Sequence, residues 1–111
     1  MALIRSVFQE ELDGVSQSLV DLNIMVSDSI SKATHALISA DLRVAEEVIA
    51  YDEKVDLYQH DLDSRIIDII ARQQPVASDL RALVTALRMA ADLERMGDMA
   101  HHVATIARLR H

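Results

Sequence analysis

An all-α fold, an antiparallel up-down-up three-helix bundle, is what this sequence predicts, and three observations predict it. Apolar residues recur at spacings of three and four along three long stretches, as they do on one face of an α-helix. Helix-breaking residues are scarce, with Gly14, Gly97 and Pro75 the whole set among 111 residues. Aromatic strand formers are equally few, namely Phe8, Tyr51 and Tyr58.

The first helix is expected over residues 3–39, where Ile4, Phe8, Leu12, Val15, Leu19, Leu22, Val26, Ile30, Ala33 and Leu37 form one stripe. Gly14 lies inside it and should cost it about 1 kcal/mol relative to alanine. The stripe stops near Ala40, and Asp41 can accept from the free amides of the next helix. The second helix is expected over 42–72, with Ala45, Val48, Val55, Leu62, Ile66 and Ile69 facing the core. Pro75 then breaks the pattern: it has no amide hydrogen, disfavours helical geometry at Gln74 and suits the start of a following helix. The third helix is expected over 76–109, with Leu80, Leu83, Leu87 and Ala90 on one face. Its small residues Ala90, Ala91, Gly97, Ala100 and Ala104 allow a neighbouring helix to come close. Helices of this size are rods of about 45 Å, and short connections make neighbours antiparallel. Residues 1–111 have room for one domain with one modest core.

Composition narrows the function classes. A formal charge of -7 argues against a nucleic-acid partner, and the absence of cysteine excludes disulfides and thiolate metal sites. Any metal must therefore sit on carboxylates or histidines. The opening MALIRSVFQEEL turns acidic too early for a signal or transit peptide, and no apolar run reaches membrane-spanning length, so the cytoplasm is expected.

Chemistry is expected where acids interrupt the apolar stripes. Asp52 falls between Val48 and Val55, and Asp56 follows one turn later; Glu94 continues the row of Leu83, Leu87 and Ala90, and Asp98 follows it. In an antiparallel hairpin pivoting on Pro75, Asp52 is level with Asp98 and Asp56 with Glu94, so four carboxylates converge in one patch. Such crowding raises carboxylate pKa values and opposes folding unless a cation or protons compensate. Oxygen donors suit iron, manganese, magnesium or calcium. A di-iron enzyme is not indicated, because Asp98 with His101 only loosely approximates the required Glu-x-x-His motif and no second copy exists. His101 is expected to be peripheral at most, and His35, His60, His102 and His111 to lie on the surface. No nucleophile framework or glycine-rich phosphate loop is present. Arg81, Arg88 and Arg95, spaced by sevens, form a basic strip, and with Arg72 are read as partners of acids or of a docking protein rather than as a phosphate site.

Two stretches are more specific. ARQQPVASDLR, residues 71–81, followed by DLERMGDMA, residues 92–100, resembles the signature of the PhoU family, with agreement upstream at Arg5, Phe8, Leu12 and AEEVIAYDEKVD. The resemblance implies a three-helix repeat, and paired E/D-x-x-x-D motifs that bind multinuclear iron or zinc clusters, here matched by Asp52, Asp56, Glu94 and Asp98. It further implies a non-enzymatic adaptor between the ATPase subunit of the phosphate ABC transporter and a histidine sensor kinase, restraining uptake and the starvation response when phosphate is plentiful. Membrane association would then come only through those partners. The family usually carries two such bundles in tandem, and this sequence holds one, so self-association as a homodimer is expected. The other readings are an accessory protein of a different phosphate or ion transporter, a metal-storage or redox bundle, and a plain helical oligomerisation module.

Overall fold

The computed structural model describes the backbone of residues 2–110 and side chains from Val7 to Arg110; Ile4, Arg5 and His111 therefore lie outside the described side chains. It is a bundle of α1 (Ala2–Ser39), α2 (Leu42–Gln73) and α3 (Ala77–Arg110), in which each helix packs against both others and no strand occurs among the described residues. The molecule measures 60 × 19 × 17 Å.

Both corners follow from local chemistry. At the first, Ala40 takes a left-handed φ of 52°, which turns the Asp41 amide back to the Ala36 carbonyl at 3.0 Å. The Asp41 carboxylate accepts from the Val44 amide at 3.2 Å, as its position before the second stripe led one to expect. At the second corner Gln74 is left-handed, with φ 45° and ψ 61°, and closes α2 immediately before Pro75. The first backbone bond of α3 runs from Leu80 to the Val76 carbonyl, so Pro75 stands ahead of the helix cap rather than in the first turn.

The buried rows repeat strictly by sevens. On α2 they are Ala45, Val48, Val55, Gln59, Leu62, Ile66 and Ile69; on α3, Leu83, Ala86, Ala90, Leu93, Gly97, Ala100, Ala104 and Ala107. Alternating steps of three and four keep one seam facing the partners along the whole rod. Asp52 occupies the place in the α2 row that the repeat leaves between Val48 and Val55. Two leucines depart from expectation: Leu37 and Leu80 are each 38% exposed, while the seam positions beside them hold the buried Ala36 and the half-buried Asp79. The seam selects residues by position, and a leucine one step off it is left partly exposed.

The core has two parts. Around the Pro75 corner, Leu22, Val26, Val55, Leu62, Ile66, Ile69, Leu83 and Leu93 pack with Phe8, Leu12 and Tyr58. Around the Asp41 corner the core is Ala33, Ala36, Ala45, Val48, Ala100, Ala104 and Ala107. Gly97 sits between the two, where a Cβ would lie 3.4 Å from Val55 Cγ1 and 3.8 Å from Val26 Cγ2.

Candidate metal centre

The acids lie on α2 and α3 at the level where the aliphatic core gives way to the alanine core. Asp52 is held by the buried row itself, and its side chain is only 12% exposed. Asp56, one turn on, is exposed, as is Asp98 on α3. One carboxylate oxygen from each of Asp52, Asp56 and Asp98 lies within 4.8 Å of the other two. These three carboxylates are the group that the helices bring together.

Glu94 is not in that group. It occupies a flanking row with Leu87 and His101, each seven residues apart and each half-buried. The expected levels were set by a pivot at Pro75, yet Gly97 faces Val55 and His101 meets Asp52, contacts that centre the hairpin close to Val76. That slip sets Asp56 beside Asp98 and leaves Glu94 nearer the Pro75 corner.

Two further groups border these acids. His101, expected to be peripheral at most, stands beside the group, its Nδ1 2.8 Å from Asp52 Oδ2. Asp63, seven residues beyond Asp56, accepts from Gln59 Nε2 at 2.8 Å through Oδ2, while its buried Oδ1 has no protein partner. The seven-residue spacings 94 to 101 and 56 to 63 were the available signals for both. His35, His60 and His102 are exposed.

The electrostatics record the crowding. Partial burial pushes the Asp56 carboxyl above its ordinary range, the Asp52 and Asp98 charges push it further, and His101 opposes them. Burial likewise raises Glu94, followed by Asp98, Asp56 and Asp63, with Arg95 opposing. A set of oxygen donors that repel one another and remain partly open to solvent fits a multivalent cation of the hard or borderline kind, iron, zinc, manganese or magnesium. Asp52, Asp56 and Asp98 supply the converging oxygens, with Glu94 and Asp63 extending the acidic strip toward the Pro75 corner.

The arginines are placed elsewhere. Arg72 pairs with Asp68 at 2.7 Å on its own helix and crosses to Glu11 on α1; Arg95 pairs with Asp92 at 3.1 Å. Arg81 and Arg88 are exposed on α3. No helix is long and apolar enough to cross a membrane among the described residues.

Comparison with known proteins agrees with this architecture. The PhoU domain matches residues 19–107. A phosphate-specific transport system accessory protein PhoU homolog 2 from Mycobacterium bovis is 41% identical over 108 residues, covering 97% of this chain and 51% of that protein. The homolog from Aquifex aeolicus is 39% identical over 95 residues, covering 86% of this chain and 43% of that protein. The crystal structure of the phosphate transport system regulatory protein PhoU from Streptococcus pneumoniae superposes with a TM-score of 0.84 at 33% identity, covering 90% of this chain and 47% of that one. The chain spans about half the length of the relatives it matches. On the match of the family's domain to most of its length, this chain belongs to the PhoU family.

Proposed function

We propose that this chain is a non-enzymatic regulator of phosphate uptake, acting as an adaptor between the ATPase subunit of a phosphate ABC transporter and a histidine sensor kinase. In this reading it holds the phosphate-starvation response down when phosphate is plentiful, and works in the cytoplasm. The names of the relatives support the phosphate-transport part of the reading. Long rigid helix faces without a nucleophile framework are suited to docking rather than to turnover.

The observation that carries the site is the approach of Asp52, Asp56 and Asp98 to within 4.8 Å. In the proposal these three, with Glu94 alongside, hold a multinuclear iron or zinc cluster, or manganese or magnesium in its place. The metal would supply positive charge that offsets the carboxylate repulsion and ties α2 to α3. Self-association as a homodimer belongs to the same reading. The groove between α1 and α3, about 770 Å³ and lined by Leu12, Leu19, Val20, Leu83 and Met89, leaves Val20 and Met89 half exposed.

Two experiments test this. Deleting the gene in its host should derepress phosphate-starvation genes in phosphate-rich medium; unchanged expression in a host without a paralogue would overturn the regulatory reading. Adding iron, manganese or zinc to metal-free protein should raise Tm, because a ligand of the folded state stabilises it. Replacing Asp56→Asn together with Asp98→Asn should remove that rise. A rise that survives the double substitution would place the metal somewhere else.

A further inference from the structure

The deepest acid of the site is also the one whose freedom is most restricted. Asp52 stands in the seven-residue row of α2 between Val48 and Val55, with its side chain 12% exposed. Its Oδ2 faces His101 Nδ1 at 2.8 Å. An ionised carboxylate can only accept, so Nδ1 is the donor of this bond. Among the described hydrogen bonds, Asp52 Oδ1 takes no partner. His101 lies on α3 one turn beyond Asp98. The imidazole is 40% exposed, so it stands at the mouth of the cluster rather than behind it.

The geometry points to His101 as a positioning and selectivity residue for the cation held by Asp52, Asp56 and Asp98. Resting on the carboxylate site proposed above, it assigns His101 a place outside the ligand set. By engaging Oδ2, His101 fixes the orientation of Asp52 and occupies one of its two oxygens, leaving Oδ1 without a protein partner among the described hydrogen bonds. Asp52 then serves as a one-oxygen ligand and is unable to chelate with both. Small ions with few, well-directed ligands use such a carboxylate, whereas calcium takes six to eight oxygens and often both from one carboxylate. The device therefore favours manganese, iron or zinc over calcium. Outer partners of this kind typically change metal affinity by about 10- to 100-fold when removed.

The test uses metal-free full chain and titrates Mn²⁺ and Ca²⁺ separately by calorimetry. His101→Leu keeps bulk but removes the donor, and should weaken Mn²⁺ binding by about tenfold while changing Ca²⁺ binding less. His101→Asn retains an N–H donor close to the place of Nδ1 and should restore most of the Mn²⁺ affinity. A merely structural histidine would weaken both ions alike, or leave His101→Asn as poor as His101→Leu, and either result overturns the assignment. So does a His101→Leu protein that binds Mn²⁺ like the parent. If the parent itself takes up neither ion, the failure lies with the carboxylate site and the positioning role falls with it; the two failures are told apart by which protein shows them.

Discussion

The two ends of this bundle are built on different plans. Toward Pro75 the helices are spaced by leucine, isoleucine and valine, and α1 and α2 are additionally tied by polar bonds: Arg72 and Gln73 to Glu11, Arg65 to Ser18, and Tyr58 to Asp21. Toward Asp41 the spacing elements are alanines, and the side-chain hydrogen bond that crosses helices near that end is His101 to Asp52. Large side chains bury more apolar surface and hold axes apart; alanines bury little and let backbones approach. The carboxylate cluster thus sits at the junction where large aliphatic core residues give way to alanines. There the short side chains of Asp52, Asp56 and Asp98 come within reach of one another.

If the ends differ in this way, they should fail differently. The largest effect is expected from Leu62→Ala at the centre of the aliphatic end, where Leu62 is wholly buried; urea unfolding should show a loss of about 2–5 kcal/mol. At the alanine end the damaging change is enlargement. Ala104→Leu, also at a wholly buried position, should cost about 1–3 kcal/mol by overpacking, and a neutral result would mean that this end is not closely packed.

The glycines sharpen the contrast. A Cβ at Gly14 would meet nothing within 4 Å, so Gly14→Ala should stabilise by about 1 kcal/mol through helix propensity alone. At Gly97 the same gain is opposed by contact with Val55 Cγ1 at 3.4 Å, and Gly97→Ala should come out close to neutral in the same denaturation series. Equal gains at both sites would argue that the junction has slack.

The smallest effect concerns the acids. Asp56 and Glu94 are both raised by partial burial first and by neighbouring charges second. A carboxyl raised in the folded state holds its proton longer there than in the unfolded chain, so its contribution is favourable at low pH. That contribution is lost as pH rises from about 4, the ordinary carboxylate value, through the higher folded value. Glu94→Gln should therefore stabilise metal-free protein at neutral pH, by less than about 1 kcal/mol for so open a site. The gain should vanish below pH 4. A gain that persists there would show that charge is not its cause.

Much of this was legible in the sequence, and the failures have physical reasons. The three stripes and Asp41 announced the helices, since helical periodicity needs no tertiary knowledge. Leu37 and Leu80 misled because hydrophobicity alone ranks leucine high, whereas a seven-residue seam ranks positions, and Ala36 and Asp79 hold those beside them. The place of the acids in the stripes drew attention to Asp52, Asp56 and Asp98, which the helices bring within 4.8 Å. Their levels were not legible, because the offset between α2 and α3 is set by how their side chains interlock, with Gly97 facing Val55 and His101 meeting Asp52, and not by where Pro75 falls in the corner. The bond from His101 to Asp52 depends on that offset; the step from 94 to 101 marks a shared face of α3 but not the partner across the seam.

The rod shape has a further consequence, in surface. A compact monomer of this mass, 12.4 kDa, exposes about 6,100 Å² by the usual scaling, whereas this chain exposes 7189 Å². Its radius of gyration, 17.2 Å, likewise exceeds the roughly 13 Å of a compact domain of equal length. The excess, roughly 1,000 Å², is close to the roughly 800 Å² that one partner contributes to an interface of standard size. Contact along one flank of the rod would thus bring the molecule back to the surface of an ordinary globule without moving a single helix.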